Sequence, residues 1–435
     1  MTSFSGPGAT PEEYISQIKS RYPPKELPIS DSSPVLNELF DGNEGQYKQM
    51  LESAKSQDYA QLLLDRLAPD LPEGFAALIQ EGILSVGEIN DPTPNARVER
   101  LEGPTYAILF NTGLQQFIYR VTRALSTRFH PQGHQDAIED VPFDETCRII
   151  TDIFFWFRET GQAFGLGYPV TTDQVMIASM LATEAETFFL AHELGHVFSE
   201  LQAIAYGASE DDRVQAWDDE AAADRFAMTA LMNSASRKHT SVHAEVCYAG
   251  AEIALLIFAG LEALDVPFEA SHPSATSRLE NLRAYLRHCV EDAHILDRIT
   301  SLSQPIDLLF TNILYRLRSP DWEGFLDRAA EDVVKELDRL LDQCTGGMVP
   351  DYYSFQNAVN SLLDRLSSHR LYERVAQAAA DFFSHMTRLS KQDDDPATKS
   401  EARVAFQKYK LFVSIIRDMH EPAKSFLEKA LGIET

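Results

Sequence analysis

AHELGHVFSE, residues 191–200, sets His192 and His196 four positions apart, with Glu193 beside the first. Residues four apart on an α-helix share a face, so both imidazoles can meet at one ion while Glu193 sits close to it without necessarily touching it. The surrounding run, TEAETFFLAHELGHVFSELQAIAYG at 183–207, keeps helical spacing. Thr183 with Glu186 three positions on forms a capping-box pattern, which predicts a helix start just upstream of the histidines. Gly195 inside that helix costs roughly 1 kcal/mol against alanine. Either close helix packing or room for a second chain or substrate would offset it. Histidines on a helix are more often structural than ligating, so the reading turns on a third donor.

That donor is found in WDDEAAADRFA, residues 217–227, where Glu220 and Asp224 again share one helical face. The interval from His196 to Glu220 is long enough for a helix end, a turn and a returning helix. Two imidazoles and a carboxylate, with water in the fourth position, suit one catalytic Zn²⁺ ion per chain, although such donors accept other divalent ions. Asp224 would then accept the remaining ring N–H of a ligating histidine and fix its tautomer. The plainer alternative makes Asp218, Asp219, Glu220 and Asp224 the solvated acidic front of an ordinary helix. Glu200 shares the face of His196 and reads either as another ligand or, more simply, as a polar helix position. Glu184 and Glu186 read as capping or solvating groups.

Working outward, ARVERLE and TYAILF on either side of Gly103-Pro104 read as two short strands, and NTGLQQFIYRVTRALSTRF returns to helical periodicity. ELFDGNEGQYKQMLESAKS, AQLLLDRLA, ETCRIITDIFFWFRETG and SRLENLRAYLRHC also carry helical spacing. The glycines at 161, 165 and 167 lack the phosphate-loop spacing and read as turn residues. SEDD after Gly207 reads as a polar loop. From about 304 onward the chain is helical between turns, with no repeat period. The expected fold class is α+β, predominantly α-helical: a zincin-like catalytic domain with a small sheet and a helical C-terminal region. The expected division is a flexible lead-in at 1–35, the catalytic domain with its N-terminal helical portion at 36–300, and a helical domain or annex at 301–435.

Composition narrows the partners. The 435 residues carry 66 acidic against 38 basic side chains, a net charge of -28, which excludes a nucleic-acid backbone or an anionic membrane as a natural partner. Cys147, Cys247, Cys289 and Cys344 are scattered with no CxxC, and read as buried thiols of a reducing compartment. The N-terminus lacks the basic start and apolar run of a signal peptide, so a cytoplasmic location is expected. VCYAGAEIALLIFAGLEA, 246–263, comes closest to a membrane span. Glu252 and Glu262 interrupt it, so it reads as the most buried helix of a core, with no transmembrane insertion.

HELGH followed by EAAAD resembles the gluzincin class of zinc metallopeptidases, especially the catalytic segment shared by the HtpX-type heat-shock peptidases and the CAAX-prenyl endopeptidases. The resemblance covers about residues 100–290. It implies zinc held by His192, His196 and Glu220, with Glu193 as general base and Asp224 orienting a ligand histidine. SHPSATSRLENL is similar to a downstream His-Pro and Arg signature of those families, which implies that His272, Pro273 and Arg278 line the active-site wall. The membrane spans of those families are absent from this sequence, so their membrane-protein and prenyl specificities do not carry over.

The expected activity is endopeptidase cleavage of a protein or peptide substrate through a metal-activated water and a glutamate base. His272 is the expected oxyanion donor, with Arg278 holding it or its loop, and His239, His243, Tyr206 and Tyr248 are rivals. TYAILFNTGLQQF is expected to supply the sheet edge for an extended substrate. Two other functions fit the same residues: a noncatalytic zincin scaffold that acts by interaction or regulation, and a zinc hydrolase for a nonpeptide amide. The C-terminal helices are left three roles: covering the cleft, docking a regulatory partner, or mediating oligomerisation.

Overall fold

The computed structural model describes residues 10–23, 58–129, 141–161, 170–217, 219–237, 241–266 and 273–345, with four further positions between 374 and 378. The chain divides into two compact units, one of residues 1–24 with 49–320 and the other of 25–48 with 321–435. In the second unit the described structure is chiefly the helix Trp322–Thr345, where Arg374 pairs with Glu323 and Asp327.

The first unit holds everything that builds the site. Its elements in chain order are α1 (Pro11–Arg21), α2 (Tyr59–Leu67), α3 (Phe75–Gln80), β1 (Leu84–Ile89), β2 (Ala96–Arg100), β3 (Tyr106–Asn111), α4 (Thr112–Ser126), α5 (Phe143–Thr160), α6 (Thr172–Ala205), α7 (Glu210–Trp217), α8 (Glu220–Arg237), α9 (Ser241–Ala263), α10 (Ala275–Cys289) and α11 (Ala293–Arg318). Helix α1, inside the segment expected as a loose lead-in, is closed by a full capping box between Thr10 and Glu13. It lies on the sheet through Ile15 and Ile18, packed with Ile89, Ala107 and Leu109. Gly87 permits this approach, because a Cβ there would come within 2.3 Å of the Ile15 side chain.

The sheet has the order β1-β3-β2, with β1 parallel and β2 antiparallel to β3. The apolar strand β3 is central, paired on both sides, and buried at all six positions, as suits a strand covered on both faces. It therefore cannot be the substrate edge expected of TYAILF, and the site-facing edge is the charged strand β2. Charges on the outer strand are the usual protection of an open edge.

Helix α6 runs 34 residues through the core and packs against α8, α9 and α4. Its true start is eleven residues before Thr183, with a capping box between Thr171 and Gln174. Thr183 lies mid-helix, and its hydroxyl donates to the Ser179 carbonyl at 2.8 Å. Helix α7 occupies the expected SEDD loop, opened by Ser209 and Asp212. The Asp212 N–H donates to the Ser209 hydroxyl at 3.2 Å, and the Ser209 N–H donates to the Asp212 carboxylate at 3.3 Å. Helix α9 contains the one window among the described residues long and apolar enough to cross a membrane, and most of it is buried inside the protein. Its Glu252 is fully buried and bound by Arg283 of α10 and Ser303 of α11, which ties three helices together. Cys147 and Cys247 are buried as expected; Cys289, at the last position of α10, is exposed.

Candidate metal centre

Three buried donors converge between α6 and α8: His192, His196 and Glu220. The two histidine Nε2 atoms lie 3.1 Å apart. Glu220 places Oε2 at 3.3 Å from the first and Oε1 at 3.6 Å from the second. Bonds of about 2.0–2.1 Å meeting at the tetrahedral angle set neighbouring ligand atoms about 3.3 Å apart. The donor spacings are thus close to those of ligands sharing one ion, with Glu220 meeting the two imidazoles through different oxygens, and the group can hold a metal ion.

Two features of sequence make the triangle. The spacing of the histidines turns both rings to one side of α6. Gly195, between them, lets α8 come close, since a Cβ on it would lie 2.7 Å from the Ala223 Cα and 3.0 Å from the Ala223 carbonyl oxygen. Of the two explanations open from sequence, close helix packing is the one found here. It brings Glu220 and Asp224, one turn apart on α8, against the histidines.

Behind the triangle, Asp224 Oδ1 lies 3.0 Å from His192 Nδ1. Arg278 of α10 grips the same carboxylate with two bonds, Nε to Oδ2 at 2.9 Å and Nη2 to Oδ1 at 2.7 Å. Its Nη1 reaches Glu220 Oε2 at 3.0 Å. In front, the Val98 N–H of β2 donates to Glu193 Oε2 at 2.8 Å.

The charges of the cluster bear on what it can hold. Glu193, Glu220 and Asp224 are buried together with one guanidinium, that of Arg278. Buried charges are costly unless paired, and a divalent cation would supply the two positive charges that balance these three carboxylates and one guanidinium. The titrations follow the same logic. Burial and Arg278 pull the His192 pKa down, yet its bonds to Asp224 and Glu220 outweigh them and raise it to about 9. Burial pushes the Glu193 carboxyl up to about 7, with Glu220 adding to the rise and His192, Val98 and Arg278 opposing it. Burial alone would raise Asp224, but its bonds to His192 and Arg278 prevail and lower it.

The remaining sequence candidates fall elsewhere. His272 and His239 lie outside the described residues, as does the side chain of His243, while Pro273 is exposed just before α10. Tyr206 is exposed at the end of α6, and Tyr248 is buried with its hydroxyl near Glu252 and Arg283. Glu200 is buried and paired with Arg100 of β2 at 3.0 Å, away from the triangle. Glu184 and Glu186 do not cap or solvate α6; both are buried. Arg66 pairs with Glu184 and Tyr59 with Glu186, both partners coming from α2. Val98 contributes a backbone group, which leaves no mark in the side-chain chemistry of the sequence.

A family model described as Peptidase U49 matches residues 163–299, a span that contains both histidines, Glu193, Glu220, Asp224 and Arg278. The match supports a peptidase. No curated protein and no solved structure matches the chain.

Proposed function

We propose that this chain is a zinc-dependent endopeptidase of gluzincin type, with His192, His196 and Glu220 holding one zinc ion and Glu193 acting as general base. The observation that carries the reading is the buried donor cluster, with the two Nε2 atoms 3.1 Å apart and the Glu220 oxygens at 3.3 Å from His192 and 3.6 Å from His196, lying beside a carboxylate that is not part of it. A purely structural metal site needs no such carboxylate. Zinc, when bound, supplies Lewis acidity that lowers the pKa of a water and polarises the scissile carbonyl.

Glu193 accepts the proton of the attacking water and returns it to the leaving amine. Burial raises its carboxyl to about 7 in the metal-free protein, in the direction that favours taking up a proton. A bound dication would draw that value lower. Asp224 accepts the Nδ1–H of His192 and thereby keeps the Nε2 lone pair turned toward Glu220 and His196. Arg278 holds Asp224 and Glu220 in place. An extended peptide is taken along the outer edge of β2, whose backbone approaches Glu193.

Glu193→Gln tests the reading. The variant is expected to retain its metal and to lose on the order of 10²–10⁴-fold in peptide cleavage, the usual worth of a positioned base. Cleavage at the wild-type rate by a metal-loaded variant would overturn it. Wild-type protein that hydrolyses small amides and leaves peptides and proteins intact would point instead to the nonpeptide hydrolase.

A further inference from the structure

Strand β2 turns a row of backbone groups away from its partner β3. Leu101 donates to the Thr105 carbonyl at 2.9 Å, and Asn111 donates to the Asn95 carbonyl at 3.1 Å. With Val98 opposite Ile108, this alternation turns the odd-numbered residues of β2 toward β3 and the N–H groups of Ala96, Val98 and Arg100 away from it. Such outward donors ordinarily go to water or to an added strand. The one on Val98 goes to Glu193, 95 residues further along the chain, at 2.8 Å.

The recipient matters because Glu193 is the acid of α6 next to the donor triangle but outside it. A glutamate side chain has several rotatable bonds, and its carboxylate can turn either oxygen toward the reacting centre or swing away. A charge-assisted bond from a fixed backbone donor removes that freedom. We propose that the Val98 N–H is a positioning group for the reaction: it holds Oε2 of Glu193 and leaves Oε1 as the oxygen that takes the proton from water. This rests on the peptidase reading above and deepens it. The edge strand thereby sets the aim of the base as well as offering its outer edge to a substrate.

Val98→Pro deletes this donor while sparing the ladder, because the lost N–H makes no bond to β3 and proline is tolerated at a strand edge. Val98→Ala is the control: it alters the same side chain and keeps the N–H that meets Glu193. Both are measured for zinc content and for kcat and KM on a mixed-sequence quenched-fluorescent peptide library. The expected result is a folded Val98→Pro protein with its zinc, an unchanged KM and a kcat about 10²-fold lower, as for a misaimed catalytic group. Val98→Ala should lose far less kcat than Val98→Pro. Wild-type kcat in Val98→Pro, or an equal loss in both variants, would overturn the proposal.

Hydrogen exchange at the Val98 amide reads the bond without turnover and stands in if the proline variant fails to fold. It should be slow in the wild type and fast in Glu193→Ala, and fast exchange in both would overturn the proposal. Zinc-loaded wild type that cleaves no peptide fails the peptidase reading instead, while exchange still reports whether Val98 holds Glu193.

Discussion

Both halves of α6 bury carboxylates, but only the second half gathers them around a point. In the first half, Glu184 is met by Arg66 and by the Cys247 thiol, and Glu186 by the Tyr59 hydroxyl. Each acid there has partners of its own, and the result is a joint between α2 and α6. In the second half, Glu220 faces two imidazole nitrogens and a guanidinium that also holds Asp224, while Glu193 faces a strand. Burial of charge is common to both regions and marks neither as a site. What separates them is convergence of metal-type donors on one small volume, with charges that balance when a dication is added.

Substitutions in the two halves should therefore fail in different ways. The largest effect is expected from Arg278→Met, which leaves Asp224 and Glu220 without their guanidinium. Breaking such a buried pair typically costs about 3–5 kcal/mol. The loss should be greater in chelator-treated than in zinc-loaded protein, because the ion takes up part of the uncompensated charge; unfolding by urea with and without chelator measures this. Equal losses in both states would place the ion elsewhere.

A smaller effect is expected from Gly195→Ala. The added methyl meets the α8 backbone at Ala223. Overpacking of this kind costs about 1–3 kcal/mol, reduced by roughly 1 kcal/mol from the better helix propensity of alanine. Because α8 carries Glu220, zinc affinity should fall more than the modest stability change suggests, which a competitive chelator titration would detect.

The smallest effect on the metal centre belongs to Glu186→Gln in the first half. Burial raises the Glu186 carboxyl from 4.5 to about 8, with Glu88 adding to the rise and the Tyr59 bond opposing it. A carboxyl raised on folding binds its proton more tightly in the native state, so its contribution is full below about pH 4 and is lost as pH rises through about 8. The wild type should lose stability relative to the variant across that window, with zinc content unchanged. Parallel stability curves from pH 5 to 8.5 would show that Glu186 does not titrate there.

The metal-type donors were legible because their signal is local: the spacing of His192 and His196, and of Glu220 and Asp224, is a property of single helices. The start of α6 is ambiguous in the sequence for the same reason. Thr183 and Glu186 match a capping box as well as Thr171 and Gln174 do, and it is the partner of Glu186, Tyr59 of α2 more than a hundred residues upstream, that marks it as lying in a helix interior. Strand order was likewise hidden. An unbroken apolar strand such as TYAILF belongs at the centre of a sheet and a charged one such as ARVER at its edge, but which edge meets α6 is a tertiary fact. The first helix and β1 escaped notice because α1 and Gly87 explain each other only once packed. Val98 had no signal at all, since any residue but proline carries its N–H.

The central claim is that the donor triangle holds a metal, and the most direct test is zinc content per chain by mass spectrometry after purification without added metal. Wild-type protein should carry one zinc ion, and His192→Ala, still folded, should carry none. A folded wild type that takes up no zinc even after controlled reconstitution would contradict the account and leave the cluster as a structural joint like the one at the other end of α6.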